Sequence, residues 1–329
     1  MAASLQAVQD LINKAISDFD KQIPTLQRDL LDSITDELRN LDLAPDGTIE
    51  TSVNNIKLFG TIKGQLNSLI LNDGYIDQVK EFTAAFTQVA TLQNQYWTQV
   101  ESTFQPSALL DEIKKQSIDT TISSLTENGI SANISDEISQ ILQTNIGSGG
   151  SMKQLEQQLR DSLTSSNSSD GLLQKYTRQI TTDAINQFSR NYTKIVSDDL
   201  DYEWYSYRGS DIVTTRPFCW AVTALRYFHD SQVPALLRAE GLVWTNPKTG
   251  KEEPVPIYQK TGLPQGMYAG ENPVSFYILA GGYNCGHQIG PVSEALVPED
   301  IKDEIYSSPA YTTWAQTHPD AASVKANAT

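Results

Sequence analysis

Four side chains in the last third of the sequence have the chemistry to hold a metal or to react: Cys219, His229, Cys285 and His287. Thiolate and imidazole are the preferred ligands of tetrahedral zinc. The spacing Cys285-x-His287 puts two such groups together on a tight turn, and Cys219 with His229 supplies the rest of a four-ligand set. Three uses of these residues stay open at this level. Zinc would staple a domain rich in loops. A disulfide between Cys219 and Cys285, formed after release from the cell, would close a long loop. In the third use both cysteines are small buried hydrophobes and His287 is a hydrogen-bonded structural histidine. A Cys–His nucleophile pair is chemically allowed. No third residue is marked by spacing to orient the imidazole, and such constellations are recognised by geometry.

No catalytic residue and no organic cofactor is assigned. The chain has no H-E-x-x-H, no G-x-S-x-G and no phosphate-binding G-x-x-x-x-G-K-[ST] motif. Its carboxylates are scattered along helical stretches as solvated faces. Around the cysteines, Arg216 is expected to lock its loop through a planar ion pair with Asp211 or a neighbouring carboxylate. Gly281-Gly282 predicts a tight turn or a close backbone approach. Trp204, Trp220 and Trp244 read as core.

The elements that must position these residues fall into two textures. Up to about residue 200 apolar residues recur at helical spacing. Leu5, Val8, Leu11, Ile12, Ala15, Ile16 and Phe19 form one stripe, and Leu26, Leu30, Leu31, Ile34, Leu38 and Leu41 a second. Further stripes run through Ile56–Ile70, Ile76–Phe104, Leu109–Leu125 and Ile134–Leu142. Turns are expected at Pro45-Asp46-Gly47, Asn72-Asp73-Gly74, Asn128-Gly129 and Gly147–Gly150. Ser151-Met152-Lys153-Gln154 has the form of a capping box. A polar loop over 165–171 precedes a long helix from about Leu172 to Leu200.

From about residue 201 aromatic residues, Gly and Pro take over. Strands are expected at Glu203–Arg208, Gly241–Thr245, Pro254–Tyr258 and Val274–Ile278, and helices at Cys219–Tyr227 and Val233–Glu240. The reading is an α+β protein: a mainly helical region over 1–200, a small α+β domain over 201–300, and a polar C-terminal tail over 301–329.

Bulk properties narrow the function. The chain has 329 residues, 39% hydrophobic and 19% charged, enough to bury a core. Its net charge of −16 repels phosphate backbones, so a nucleic-acid contact is not indicated. The first twenty residues lack a basic start followed by an apolar run, and no stretch is apolar enough to span a bilayer. Neither a signal peptide nor a membrane contact is expected. Two cysteines in a chain this long do not make a disulfide scaffold, which predicts synthesis in a reducing cytoplasm.

Two segments dominate the second region: Asp211-Ile-Val-Thr-Thr215-Arg216-Pro217-Phe218-Cys219 and Gly281-Gly282-Tyr283-Asn284-Cys285-Gly286-His287. With the long helix and the Trp204 strand ahead of them, they resemble the phage Mu F-like family of head-morphogenesis, or minor capsid, proteins. The resemblance covers about 150–295 and rests on Thr215, Arg216, Pro217 and Cys219 in the first segment and Gly282, Asn284, Cys285 and His287 in the second. Gly286 stands where the family carries Arg, and Asp211 lies one position further from Thr215-Arg216 than in the family pattern. The resemblance implies a non-enzymatic structural protein of the virion head or neck, made in the host cytoplasm. It implies association with the phage portal or major capsid protein, homo-oligomerisation in the particle, and a part in head assembly and DNA packaging or ejection. The competing readings are a cargo protein with a zinc-binding or Cys-dependent hydrolytic domain delivered with the DNA, and a neck or tail adaptor.

Overall fold

A computed structural model describes residues 4–164, 169–212 and 214–319 of the chain. It has two compact units, Met1–Ile185 and Asn186–Thr329. The division falls inside the long helix and earlier than the change of texture near residue 201, because the last turns of that helix bury polar side chains against the second unit.

The first unit is helical. Helices α1 (Leu5–Asp20), α2 (Ile23–Leu38), α3 (Val53–Ile70), α4 (Asp73–Val100), α5 (Ala108–Leu125) and α6 (Glu127–Ile130) are followed by one π-helical turn, Ser131–Ser135. Then come α7 (Asp136–Ser148), α8 (Met152–Leu163) and the start of α9 (Leu172–Asp199). Ser4 caps α1 by accepting from the Ala7 N–H at 3.1 Å. The stripe of α1 closes on α4, where Phe19 meets Phe82 edge-on at 5.6 Å between ring centres. The stripe of α2, with Leu30, Leu31, Ile34 and Leu38 all buried, packs on α3 and α8. Each such side chain contributes roughly 1.5–3 kcal/mol by leaving water. Between α2 and α3 the buried Asn55 pins the connection: its amide donates to the carbonyls of Asp42 (2.9 Å) and Glu50 (2.7 Å) and accepts from the Asp42 N–H (2.8 Å).

Two turn expectations and one cap are corrected. Asn72 is a helix cap that accepts from the Tyr75 N–H at 2.9 Å, so Asp73-Gly74 opens α4. Asn128-Gly129 lies within α6, and the irregularity appears just beyond it as the π turn. Ser151 precedes α8 without a side-chain cap bond, since its backbone bridges to Thr48 instead. Positions 165–168 of the expected polar loop lie outside the described residues.

The second unit takes over α9 at Asn186. It then runs β1 (Trp204–Arg208), α10 (Pro217–Leu225), β2 (Phe228–His229), α11 (Val233–Leu237), β3 (Val243–Thr245), β4 (Glu252–Pro254), β5 (Ile257–Tyr258), β6 (Leu263–Pro264), α12 (Pro273–Leu279), β7 (Gln288–Pro291), α13 (Glu299–Tyr306) and α14 (Pro309–Thr317). Strand β1 is central in an antiparallel sheet of order β2-β1-β7, pairing Tyr205 with Phe228 and Tyr207 with Ile289. One face of the sheet carries Tyr205, Tyr207 and Phe228 into a core with Phe218, Val222 and Phe276. The other face carries Trp204 into a smaller core with Val292, Val297 and Ile305.

The expected strand Val274–Ile278 is helical. Asn272 accepts from the N–H groups of Val274 (3.0 Å) and Ser275 (3.1 Å), and Pro273 opens the first turn, so cap chemistry overrides a β-like composition. The expected strand Pro254–Tyr258 is split between the ends of β4 and β5. The C-terminal stretch is not a loose tail as far as it is described. Ser308 caps α14 by accepting from the Tyr311 N–H at 3.1 Å, and Tyr306, Tyr311 and Trp314 close around the buried His229 ring. Residues 320–329 lie outside the described residues.

Ending the chain at Ser307 removes the Tyr311 and Trp314 cover from His229. The second unit should lose roughly 2 kcal/mol, read as a lower thermal midpoint against the full chain. An unchanged midpoint would show that α14 contributes nothing to it.

Candidate metal centre

The site begins with one buried charge. Arg190, on the part of α9 that belongs to the second unit, is 1% exposed. Its Nε donates to the Ile278 carbonyl at 2.6 Å, and its Nη1 donates to the carbonyls of Cys285 (2.9 Å) and His287 (2.7 Å). The turn from α12 into β7 is thereby fixed at both residues that carry chemistry. From the other side Arg216, the residue before α10, donates through Nη1 to the Gly281 carbonyl at 2.7 Å and through Nη2 to the Tyr283 carbonyl. Arg216 was expected to pair with Asp211 or a neighbouring carboxylate. It binds the second motif segment instead, 67 positions away at Tyr283.

The other motif residues shape the backbone. Thr215 Oγ1 accepts from the Ile212 N–H at 2.8 Å, and Pro217 opens α10, which places Cys219 in its first turn. Gly282 has φ +87° and Asn284 φ +55°, the left-handed region open to glycine and tolerated by asparagine. Gly281 answers a different need: a Cβ there would lie 2.3 Å from Cys219 Sγ and 3.2 Å from Cys285 Sγ.

These constraints bring both cysteines and one histidine to a single point. The ligand atoms of Cys219, Cys285 and His287 all lie within 4.8 Å of one another, and all three residues are buried. Both cysteines are free thiols. The Tyr207 hydroxyl, from β1, lies 3.4 Å from Cys219 Sγ and 3.3 Å from Cys285 Sγ, and its ring stacks on His287 at 5.1 Å. The Gly281 N–H donates to Cys285 Sγ at 3.3 Å, and His287 Nδ1 lies 3.8 Å from the same sulfur. On the far side of the ring Nε2 faces Asp211 Oδ1 at 3.7 Å. That is an ion-pair distance but too long for a hydrogen bond, and neither atom has a hydrogen-bond partner.

The two thiols titrate as one system. The hydrogen bond between them, with burial, pushes the Cys219 thiol far up. The same bond holds Cys285 well below the ordinary thiol range, helped by the hydrogen bond to His287 and the nearby charge of Arg190, although burial opposes it. Of the two sulfurs, Cys285 is thus the one whose surroundings favour the thiolate. Burial pushes the Asp211 carboxyl up while His287 pulls it down. Glu271, 7% exposed, accepts from the Tyr268 N–H at 3.3 Å through Oε2, and its Oε1 has no hydrogen-bond partner. Burial pushes its carboxyl up to about 8; the Tyr268 N–H pulls it down and Cys285 adds to the rise.

His229 is not part of the group. Its partner across the ladder is Trp204, and directly paired residues share a face, so its ring lies on the opposite face of the sheet from Tyr207. There Nδ1 accepts from the Ser231 N–H at 3.1 Å, Nε2 lies 3.4 Å from Glu203 Oε2, and Trp314 packs at 4.7 Å. The four-ligand set thus reduces to three residues. Spacing had marked no orienting group for His287, yet Asp211 occupies that place. The line Cys285–His287–Asp211 has the order of a nucleophile, base and orienting acid. Cys285 is 2% exposed, so an acyl substrate would meet its sulfur only after the surrounding chain moved.

Tyr207, Arg190 and Glu271 were not singled out from the sequence. For Arg190 a signal existed. Asn186, Ser189, Arg190, Thr193 and Ser197 are all buried, and their spacing of three and four draws a polar stripe along the same helix as the apolar one.

Gly281→Ala should destabilise the second unit by about 1–3 kcal/mol, because backbone and sulfur must separate. Chemical denaturation would measure this, and a neutral result would mean that the sulfur moves freely. Glu271 binds a proton more tightly in the fold than its ordinary value of 4.5. Its contribution is thus intact below that value and is lost as the pH rises through about 8. Glu271→Gln should flatten the fall in stability over that window and raise the melting temperature at its alkaline end. A variant with the same pH profile as the parent would refute the assignment.

No protein-family model, curated protein or solved structure matches the chain.

Proposed function

We propose that the protein is a structural minor head protein of a tailed bacteriophage that docks on the portal or the inner capsid and acts in head assembly and DNA packaging or ejection. The observation that carries this reading is the convergence of the two sequence segments resembling the Mu F-like family. Thr215–Cys219 and Gly281–His287 meet at one buried point. Arg216 ties the first segment to the second, and Arg190 ties the preceding helix to the second as well. Segments that resemble a family by chance have no reason to be each other's packing partners.

The second unit is a rigid module in this reading, and the helical first unit supplies the docking surface. Helix α3 begins with Val53 and Ile56 exposed, two apolar side chains on adjacent turns that a partner would cover. Among the described residues no helix is long and apolar enough to cross a membrane. The burial of Cys285 favours architecture over thiol hydrolysis, and thiol-modifying reagents should label neither cysteine in the native chain.

Co-expression with the portal protein of the same phage, affinity purification and mass determination of the product test the reading. A stable complex with a defined number of copies per portal is expected. A chain that elutes alone as a monomer, with portal and with major capsid protein alike, would overturn it.

A further inference from the structure

We infer that the second unit binds one zinc ion through Cys219 Sγ, Cys285 Sγ and His287 Nδ1, with Asp211 as the carboxylate that positions the imidazole. The inference does not depend on the phage reading. It stands on the geometry of a site whose partners come from β1, α10 and the turn after α12.

Zinc is chosen by donor type. Two sulfurs and one imidazole nitrogen form a soft, borderline set that suits zinc and disfavours magnesium and calcium, which take oxygen. Three such donors within 4.8 Å of one another can close on a single ion with small rotations. All three are buried, and they come from segments held by Arg190 and Arg216, so the set is formed before the metal arrives.

The surroundings match what a metal site requires of its outer groups. Liganding thiolates are stabilised by donors, and here the Gly281 N–H points at Cys285 Sγ at 3.3 Å while the Tyr207 hydroxyl reaches both sulfurs. A liganding histidine presents its second nitrogen to a carboxylate. His287 turns Nδ1 toward Cys285 and Nε2 toward Asp211 Oδ1 at 3.7 Å. That nitrogen and that oxygen are otherwise buried atoms without hydrogen-bond partners, a costly arrangement for an ordinary core histidine. A metal on Nδ1 would fix the tautomer with the proton on Nε2, the nitrogen that faces the Asp211 carboxylate. Arg190 places a positive charge beside Cys285 and offsets part of the charge of two thiolates.

Zinc is held by two thiolates and a neutral imidazole: two Zn–S bonds and one Zn–N bond form, and every proton still carried by Cys219 Sγ, Cys285 Sγ or His287 Nδ1 leaves to solvent. No fourth side chain joins the group among the described residues. The last tetrahedral position belongs to water or to a donor from outside, as in zinc sites with three protein ligands.

The test uses the full chain, reduced and freed of metal by dialysis against a chelator. Cobalt(II) titration should produce thiolate-to-metal absorption and the visible bands of a tetrahedral ion. The signal should saturate at one equivalent and disappear when zinc is added, and zinc should raise the melting temperature. Cys285→Ser should abolish the thiolate absorption or weaken binding beyond detection. Asp211→Asn, which leaves all three ligands in place, should keep the cobalt spectrum and lose about 10–100-fold in zinc affinity. The unaltered chain keeps the inference falsifiable if Cys285→Ser fails to fold. A folded, reduced parent that gives no cobalt spectrum and no zinc-dependent rise in melting temperature overturns the site. Unchanged zinc affinity in Asp211→Asn overturns the role given to the carboxylate.

Discussion

Removing water from an ion costs several kcal/mol even after the surroundings relax, and fixed dipoles must take the place of the hydration shell. For Arg190 the replacement is three carbonyl oxygens, those of Ile278, Cys285 and His287. The donor sits on a long, regular helix. The acceptors sit on a stretch that leaves α12 and has no ladder of its own until β7. A guanidinium reaches acceptors in several directions at once, which a lysine ammonium on a flexible stem does poorly. The path of the segment is the one that gives Nε and Nη1 of Arg190 their three acceptors, while Nη2 has no hydrogen-bond partner, and the sulfur of Cys285 and the ring of His287 inherit their positions from it.

The same charge organises the titrating groups around it. The Cys219 hydrogen bond, with His287 and Arg190, favours a negative sulfur at Cys285, while the same bond and burial push the Cys219 thiol up. Burial pushes the Glu271 carboxyl up to about 8, with Cys285 adding to the rise and the Tyr268 N–H and Arg190 opposing it. The chain as a whole is acidic, at −16. Its second core is built around a positive charge.

Sequence reading reached the helices of the first unit because amphipathic periodicity survives without knowledge of neighbours. Leu30, Leu31, Ile34 and Leu38 are buried where their spacing places them. It missed where local chemistry competes with composition. Val274–Ile278 has the residues of a strand, but Asn272 and Pro273 start a helix there. The two-residue strand at Phe228–His229 and β7 owe their existence to pairing with β1 and have no periodicity to detect. In the site, residue type picked out Cys219, Cys285 and His287. His229 was wrongly grouped with them because the face of a strand depends on register, and its register against Trp204 turns it away. Asp211 was visible as a motif residue but assigned to Arg216, since charge complementarity alone does not say that backbone carbonyls are the better partner.

The short ladders explain why such clamps are needed. The sheet β2-β1-β7 pairs only a few residues per strand, and the β3-β4 and β5-β6 hairpins are shorter still than an independently stable sheet requires. A domain with so little regular hydrogen bonding must fix its loops by side chains. Two guanidiniums do so here, one from a helix and one from the motif loop, and both act on the same stretch between Ile278 and His287. Held from both sides, that stretch is well suited to keep the donors of Cys285 and His287 in fixed positions, as the proposed zinc site requires.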